Sequence, residues 1–98
     1  MRFEWDGEKN RLNRRKHGID FETATLVFDD LYAIFRKDRT AAGAQRWHAI
    51  GAAGEAVLLV VHAYRIGDEN GEEGIIRIIS AREANQRERR IYVQQASE

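Results

Sequence analysis

The run AVLLVVHAYRI, residues 56–66, restricts the fold more than any other segment. It is β-branched and apolar almost without a break, the pattern of a strand in a central position of a sheet. Such a strand needs neighbours, and three segments supply them: LYAIFRK (31–37), with Tyr32 and Ile34 on one face, the alternating QRWHAIG (45–51), and GIIRIIS (74–80). DRTAAGA, AAGE and GDENGEEG separate them; the chain has no proline, so its turns rest on Gly, Asp and Asn. Four strands in succession with short loops imply an antiparallel meander.

Helices flank this core. FEWD, 3–6, reads as a short strand, and Asp6 then caps a helix, GEKNRLNRRKH, stopped by Gly18. Asp20 caps a second helix, FETATLVFDD, with apolar residues at 21, 24, 27, 28 and 31. Ser80 and Glu83 have the spacing of a capping box, which starts the last helix there. Ala84, Ile91 and the stem of Glu88 share one face of that helix, and Arg82, Gln86, Arg89 and Val93 another. The order is β-α-α-β-β-β-β-α. The expected class is α+β: one antiparallel meander of four to five strands, two N-terminal helices and a C-terminal helix. Helices cover one sheet face and leave the other partly open. The 98 residues suit a single domain spanning 1–98.

Composition removes several classes of function. There is no cysteine, so disulfides and thiolate metal sites are excluded, and no metal-ligand spacing joins the three histidines. No cofactor is expected. No stretch approaches the roughly 18 apolar residues of a membrane span. Charged residues also stand where a signal peptide has its apolar segment, so a cytoplasmic protein is expected. The net charge is zero, but it is segregated: residues 1–18 and 77–90 are each net +3, whereas 20–30 and 67–74 each hold four acids and no base. Thirteen of the sixteen basic residues are arginine, whose planar fork matches phosphate or carboxylate in two-point contact.

Position singles out a few residues, each with a plainer reading beside it. Arg77 interrupts IIRII and needs either a ligand or an ion-pair partner such as Glu83, Glu88 or Glu55. Strand period places it with Ile75 and Ile79, and Ser80 on the other face. Arg65 ends the central strand; whether it shares a face with Arg77 depends on register. His62 and Tyr64 lie on the face opposite Arg65, where a histidine is either an acid–base group or a packed core residue. Arg82 falls in the expected first helical turn, where a cation is mildly unfavourable. With Ser80 and Arg77 it forms the strongest candidate anion site. Lys16, beside Arg14, Arg15 and His17, forms a second basic cluster or a solvated helix face. His48 has no distinguishing context.

FEWDGEKNRLNRRKHGIDFETATLVFDD resembles the opening of the BrnT toxins, with F-x-W-D, N-x-x-K-H-G and F-x-x-A-x-x-V-F-x-D. IRIISAREANQRERRIY is similar to the ending R-I-I-S-A-R-x-A-x-x-x-E-R-x-x-Y of that family, and RWHAIG and LLVVHAYR fit between. The resemblance implies a RelE-like fold, RNA cleavage that arrests translation, and a co-encoded antitoxin of the ribbon-helix-helix, BrnA type that binds the toxin in a hetero-oligomer. The matching positions are Trp5, Lys16, His17, Arg65, Arg77, Ser80, Arg82 and Tyr92. Two features depart from the pattern: the longer, acidic GDENGEEG, and the absence of a proline after Asp29–Asp30.

The implied chemistry is attack of a ribose 2′-hydroxyl on the adjacent phosphate, without a metal. It needs a base, an acid and cations for the charge developing at phosphorus. Arg65, Arg77 and Arg82 would supply the cations, with Ser80 at the phosphate. Lys16, His17 or Tyr92 would take proton-transfer or orienting roles. A catalytically inactive domain that only binds its antitoxin is the main alternative. A DNA-binding regulator is weaker, because no helix pair has helix-turn-helix spacing.

Overall fold

The computed structural model describes residues 2–38, 45–65 and 74–97; most of the expected turn DRTAAGA and of the acidic GDENGEEG therefore lies outside the described residues. The chain runs β1 (Arg2–Glu4), α1 (Gly7–His17), α2 (Phe21–Thr25), a 3-10 turn (Leu26–Asp29), β2 (Ile34–Asp38), β3 (Arg46–Ala53), β4 (Ala56–Arg65), β5 (Ile75–Glu83) and α3 (Gln86–Ala96). No helix among the described residues is long and apolar enough to cross a membrane.

The strands form one sheet in the order β1-β5-β4-β3-β2. β2 to β5 are the expected antiparallel meander, with β4 inside it. The sheet as a whole is mixed, because β1 pairs in parallel with the outer edge of β5. This corrects the expectation of a purely antiparallel sheet: β1 comes first in the chain, ahead of the two N-terminal helices, and joins the meander as a parallel fifth strand. The helices carry the chain from β1 at one edge of the sheet to β2 at the other, and the meander then brings β5 alongside β1 in the parallel sense.

Local signals account for the helix boundaries. Glu8 and Lys9 donate their backbone N–H groups to the Asp6 carboxylate, and Gly18 ends α1 at φ 72°, a left-handed conformation that suits glycine. Asp20 caps α2 by accepting from the Thr23 N–H at 2.7 Å. The expected second helix stays helical only to Thr25 and then tightens into the 3-10 turn, leaving Leu31 exposed rather than on an apolar face. Asp30 replaces the next helical turn: its carboxylate accepts from the N–H groups of Tyr32 and Ala52.

α1, α2 and the 3-10 turn cover one face of the sheet, where Phe21, Ala24 and Val27 meet Ala49, Leu58, Val60, Ile76, Ile78 and Ala81. α3 lies on the other face, where Ala84 and Tyr92 meet Ile34, Ile50, Val57 and Leu59. The flanking loop approaches β3 closely at Gly51, where an added Cβ would lie 2.9 Å from Val27 Cγ1 and 3.1 Å from Ala33 Cβ.

β5 contains the decisive irregularity. Ile78 faces His62 and Ser80 faces Val61, so Ile79 is an extra residue, a bulge. Immediately beyond it, past the end of β1, the open edge of β5 is closed by a side chain. Asn13 of α1 donates to the Ala81 carbonyl at 2.8 Å and accepts from the Ala81 N–H at 3.1 Å, as a neighbouring strand would. It also donates to the Ile19 carbonyl.

The Ser80–Glu83 capping box does not form. β5 continues to Glu83 because β4 still offers partners, with Ala81, Arg82 and Glu83 opposite Val60, Leu59 and Leu58. The helix starts one tetrad later, where Asn85 and Glu88 make the reciprocal box at 2.8 Å in each direction.

Two substitutions test these constraints. Asn13→Ala leaves the Ala81 and Ile19 backbone groups without their partner and is expected to cost about 2–4 kcal/mol, read from denaturant unfolding. Gly51→Ala is expected to cost about 1–3 kcal/mol through overpacking and to lower the melting temperature without changing the unfolding slope.

Candidate nucleic-acid interface

The α3 side of the sheet is only partly covered. The bulge decides what the uncovered part carries. In an unbroken strand, Arg77 and Arg82, five residues apart, would point to opposite faces. The extra residue at Ile79 shifts the alternation, so Arg77, Ser80 and Arg82 stand opposite Ala63, Val61 and Leu59, all on the α3 side. The expectation that Ser80 lies on the face opposite Arg77 is corrected on the same ground. Register also settles Arg65: it is paired with Ile75, two residues from Arg77, so the two arginines share this face. Arg36 of β2 joins them, opposite His48 of β3, which is in turn opposite Val61.

Carboxylates organise these cations into two clusters. Glu4 of β1, alongside Arg77 in the parallel register, takes Arg65 Nε at 3.1 Å and an Arg77 guanidinium nitrogen at 3.3 Å. Both arginines are well exposed, so each pair contributes about 1 kcal/mol or less to stability. Glu88 of α3 holds Arg82 in a two-point contact at 2.8 and 2.9 Å, and an Arg36 nitrogen stands 3.8 Å away. The Glu88 carboxylate is 8% exposed. The hydrogen bonds from Arg82 outweigh burial and, with the Asn85 N–H, hold its pKa below the ordinary value.

Arg82 therefore belongs to a strand and reaches the helix start from outside, through Glu88. At the helix start, the N–H groups of Asn85 and Glu88 are taken by each other's side chains. The proposed strand partners of Arg77 are also replaced: its carboxylate comes from β1, a segment with no nearness to it in sequence.

The remaining singled-out residues lie elsewhere. Lys16 and His17, exposed at the end of α1, line a hollow with Lys9, Leu12, Asn13, Ile79 and Ser80, at the edge of β5 where the bulge opens. Ser80 thus joins that hollow to the arginine face. Tyr92 packs on the α3 side, and its hydroxyl donates to Asp30 Oδ2 at 2.5 Å; burial and that donation push its pKa up to about 12. Burial pushes Asp30 up, but donation from Tyr92 and from the Ala52 and Tyr32 N–H groups holds it below the usual carboxylate value. Trp5 packs edge-on against Phe21 in the core.

His62 is fully buried on the opposite face, edge-on to Phe28. Its Nδ1 lies 3.2 Å from the Val60 carbonyl, which only accepts, so Nδ1 carries the hydrogen and Nε2 accepts from the Tyr64 hydroxyl at 3.3 Å. Burial lowers its pKa. His48 is the histidine that sequence reasoning passed over. It lies on the arginine face, with Nε2 3.1 Å from Asp38 Oδ2. The signal available was its place in the alternating RWHAIG, but its neighbours are set by strand pairing.

These features define a small α+β fold with one helix-covered sheet face and one half-open face whose strands carry Arg36, Arg46, Arg65, Arg77 and Arg82. The family described as "Ribonuclease toxin, BrnT, of type II toxin-antitoxin system" matches residues 5–88, and the chain belongs to that family. The matched segment contains every singled-out residue except Tyr92. No curated protein matches the chain.

Two measurements probe this arrangement. Glu88→Gln removes the partner of Arg82 and is expected to cost about 1–2 kcal/mol after allowance for the exposed guanidinium, by chemical denaturation at neutral pH. For His62, the folded pKa lies below the unfolded value of 6.5, so its contribution is full above pH 6.5 and is lost as pH falls towards the folded pKa. The melting temperature should therefore decline below pH 6.5, before the carboxylates titrate, and His62→Gln should flatten that part of the profile.

Proposed function

We propose that this BrnT-family chain acts as a single-domain, metal-independent endoribonuclease whose RNA contacts lie on the half-open sheet face. The observation that carries the reading is the gathering of Arg65, Arg77, Arg82 and Arg36 on that one face by register and bulge. Arginine has five N–H donors, and each contact to Glu4 or Glu88 uses one or two of them. Arg82 also donates to the Glu83 carbonyl, and the donors left over remain for phosphate oxygens. Glu88, between two guanidinium groups, occupies the kind of position that a phosphodiester would share.

In this reading Arg77 and Arg82 stabilise the charge developing on phosphorus, and Arg65 and Ser80 hold the scissile phosphate. Lys16 and His17, across Ser80 at the β5 edge, take a flanking phosphate and extend the cationic track. Tyr92 braces α3 through Asp30. Attack by the 2′-hydroxyl leaves a 2′,3′-cyclic phosphate and a 5′-hydroxyl. Cleavage in the cytoplasm arrests translation. A ribbon-helix-helix antitoxin of the BrnA type neutralises the protein by forming a hetero-oligomer with it. The five-stranded sheet flanked by helices agrees with a RelE-like ancestry.

A second reading, a domain that has kept antitoxin binding and lost catalysis, is favoured by one observation. On this face Glu4 and Glu88 are paired with arginines and Asp38 with His48, so the field is short-ranged and little of it steers RNA from a distance. Incubating the purified protein with naked RNA, with and without ribosomes, separates the two readings. The ribonuclease gives fragments with cyclic-phosphate ends, and Arg77→Ala and Arg82→Ala each slow cleavage about 10²-fold or more. Folded variants that cleave at the full rate would remove these arginines from the site. No cleavage under either condition leaves the binding-only reading.

A further inference from the structure

The cleavage reading leaves one chemical role open. A proton must leave the 2′-hydroxyl, and the groups singled out from sequence are poorly placed to take it. The Tyr92 hydroxyl is committed to Asp30, and Lys16 and His17 lie on α1 at the sheet edge. His62 is buried on the other side of the sheet with both ring nitrogens engaged.

We propose that His48 is the proton acceptor of the cleavage reaction, a catalytic residue, and that Asp38 is its positioning residue. The inference rests on the reading of the arginine face as an RNA-cleaving surface. His48 of β3 lies on that face, directly opposite Arg36 of β2, and Arg36 leads through Glu88 to Arg82. Its side chain is 23% exposed and that of Asp38 15%, so the pair is held within the surface yet open on one side. The Asp38 carboxylate only accepts, so the imidazole hydrogen resides on Nε2 and the lone pair is on Nδ1. A carboxylate behind one nitrogen fixes the tautomer and steadies the imidazolium that forms when the other takes a proton.

The step balances as follows. Nδ1 takes the proton as the 2′-O–H bond breaks, and the 2′-oxygen forms a new bond to phosphorus. The bond from phosphorus to the 5′-oxygen breaks, with its electron pair leaving on that oxygen. The oxygen takes a proton from water, and the resulting hydroxide recovers the proton from the imidazolium. The neutral tautomer is restored and no redox partner is needed.

Among the described residues, the charged or titratable groups around His48 on that face are Arg36 and Asp38 of β2 and Arg46 of β3, opposite Asp38, with Glu88 of α3 behind Arg36. β4 presents the apolar Val61 on that face. His62 lies on the far side of the sheet, where burial foremost, and then the repulsion a charged His48 would exert, lower its pKa.

The test is single-turnover cleavage of a short RNA across pH, with RNA affinity measured separately and folding followed by thermal melts. His48→Gln and His48→Ala should each slow cleavage about 10²-fold or more, with little change in RNA affinity. Added imidazole should restore part of the His48→Ala rate, which a merely structural role would not allow. Asp38→Asn should slow the reaction about 10-fold by releasing the tautomer and move the acidic limb of the pH profile. His17→Gln should weaken RNA binding and keep that limb. A folded His48→Gln protein that cleaves at the wild-type rate overturns the assignment. So does an acidic limb lost in His17→Gln and kept in His48→Gln. If the wild-type protein cleaves no RNA, the underlying reading fails, a result distinct from a cleaving protein indifferent to His48.

Discussion

The bulge at Ile79 is the constraint on which the working surface depends. One residue without a partner across the ladder reverses the alternation of β5, so Arg77, Ser80 and Arg82 share a face. The reversal is held from both sides. Val60 still faces Ala81 within the buried layer, and Asn13 occupies the hydrogen-bonding groups of Ala81 on the open edge. The same contact draws the end of α1, with Lys16 and His17, alongside the bulge. A single side-chain amide thus closes a strand edge, seats a helix and fixes where the basic end of that helix lies.

Charge on the arginine face is arranged by pairing more than by excess. Glu4 gathers Arg65 and Arg77, and Glu88 gathers Arg82 with Arg36 nearby. Such pairs add little to stability where they are exposed. Their consequence is geometric: each guanidinium is presented in a set orientation with donors to spare, which limits the rotamer entropy lost when an anion arrives. Asp30 does similar work inside the molecule. Its carboxylate joins the segment before β2, the backbone of β3 and the Tyr92 hydroxyl, so α3, and with it Glu88, is anchored to the far edge of the sheet.

Much of the framework was legible in the chain. The apolar run that forms β4, Ala56–Arg65, the caps at Asp6 and Asp20 and the stop at Gly18 act through neighbours within a few residues, and each forms where the sequence places it. The element order was legible for the same reason. The start of the last helix was not. Two tetrads, Ser80 to Glu83 and Asn85 to Glu88, spell the same box, and the length of β4 decides between them by keeping β5 paired to Glu83. His62 appeared as either an acid–base group or a core residue, and its complete burial against Phe28 decides for the core.

By itself, then, the sequence determined the α+β class, the succession of elements and the concentration of arginine around β5, because propensity, capping and period are local. Tertiary structure alone decided the parallel pairing of β1, the partners of each arginine, the shared face of Arg77 and Arg82, and the meeting of His48 with Asp38 and Arg36. These depend on register between strands distant in sequence. A register that shifts by one residue turns every side chain beyond it to the other face.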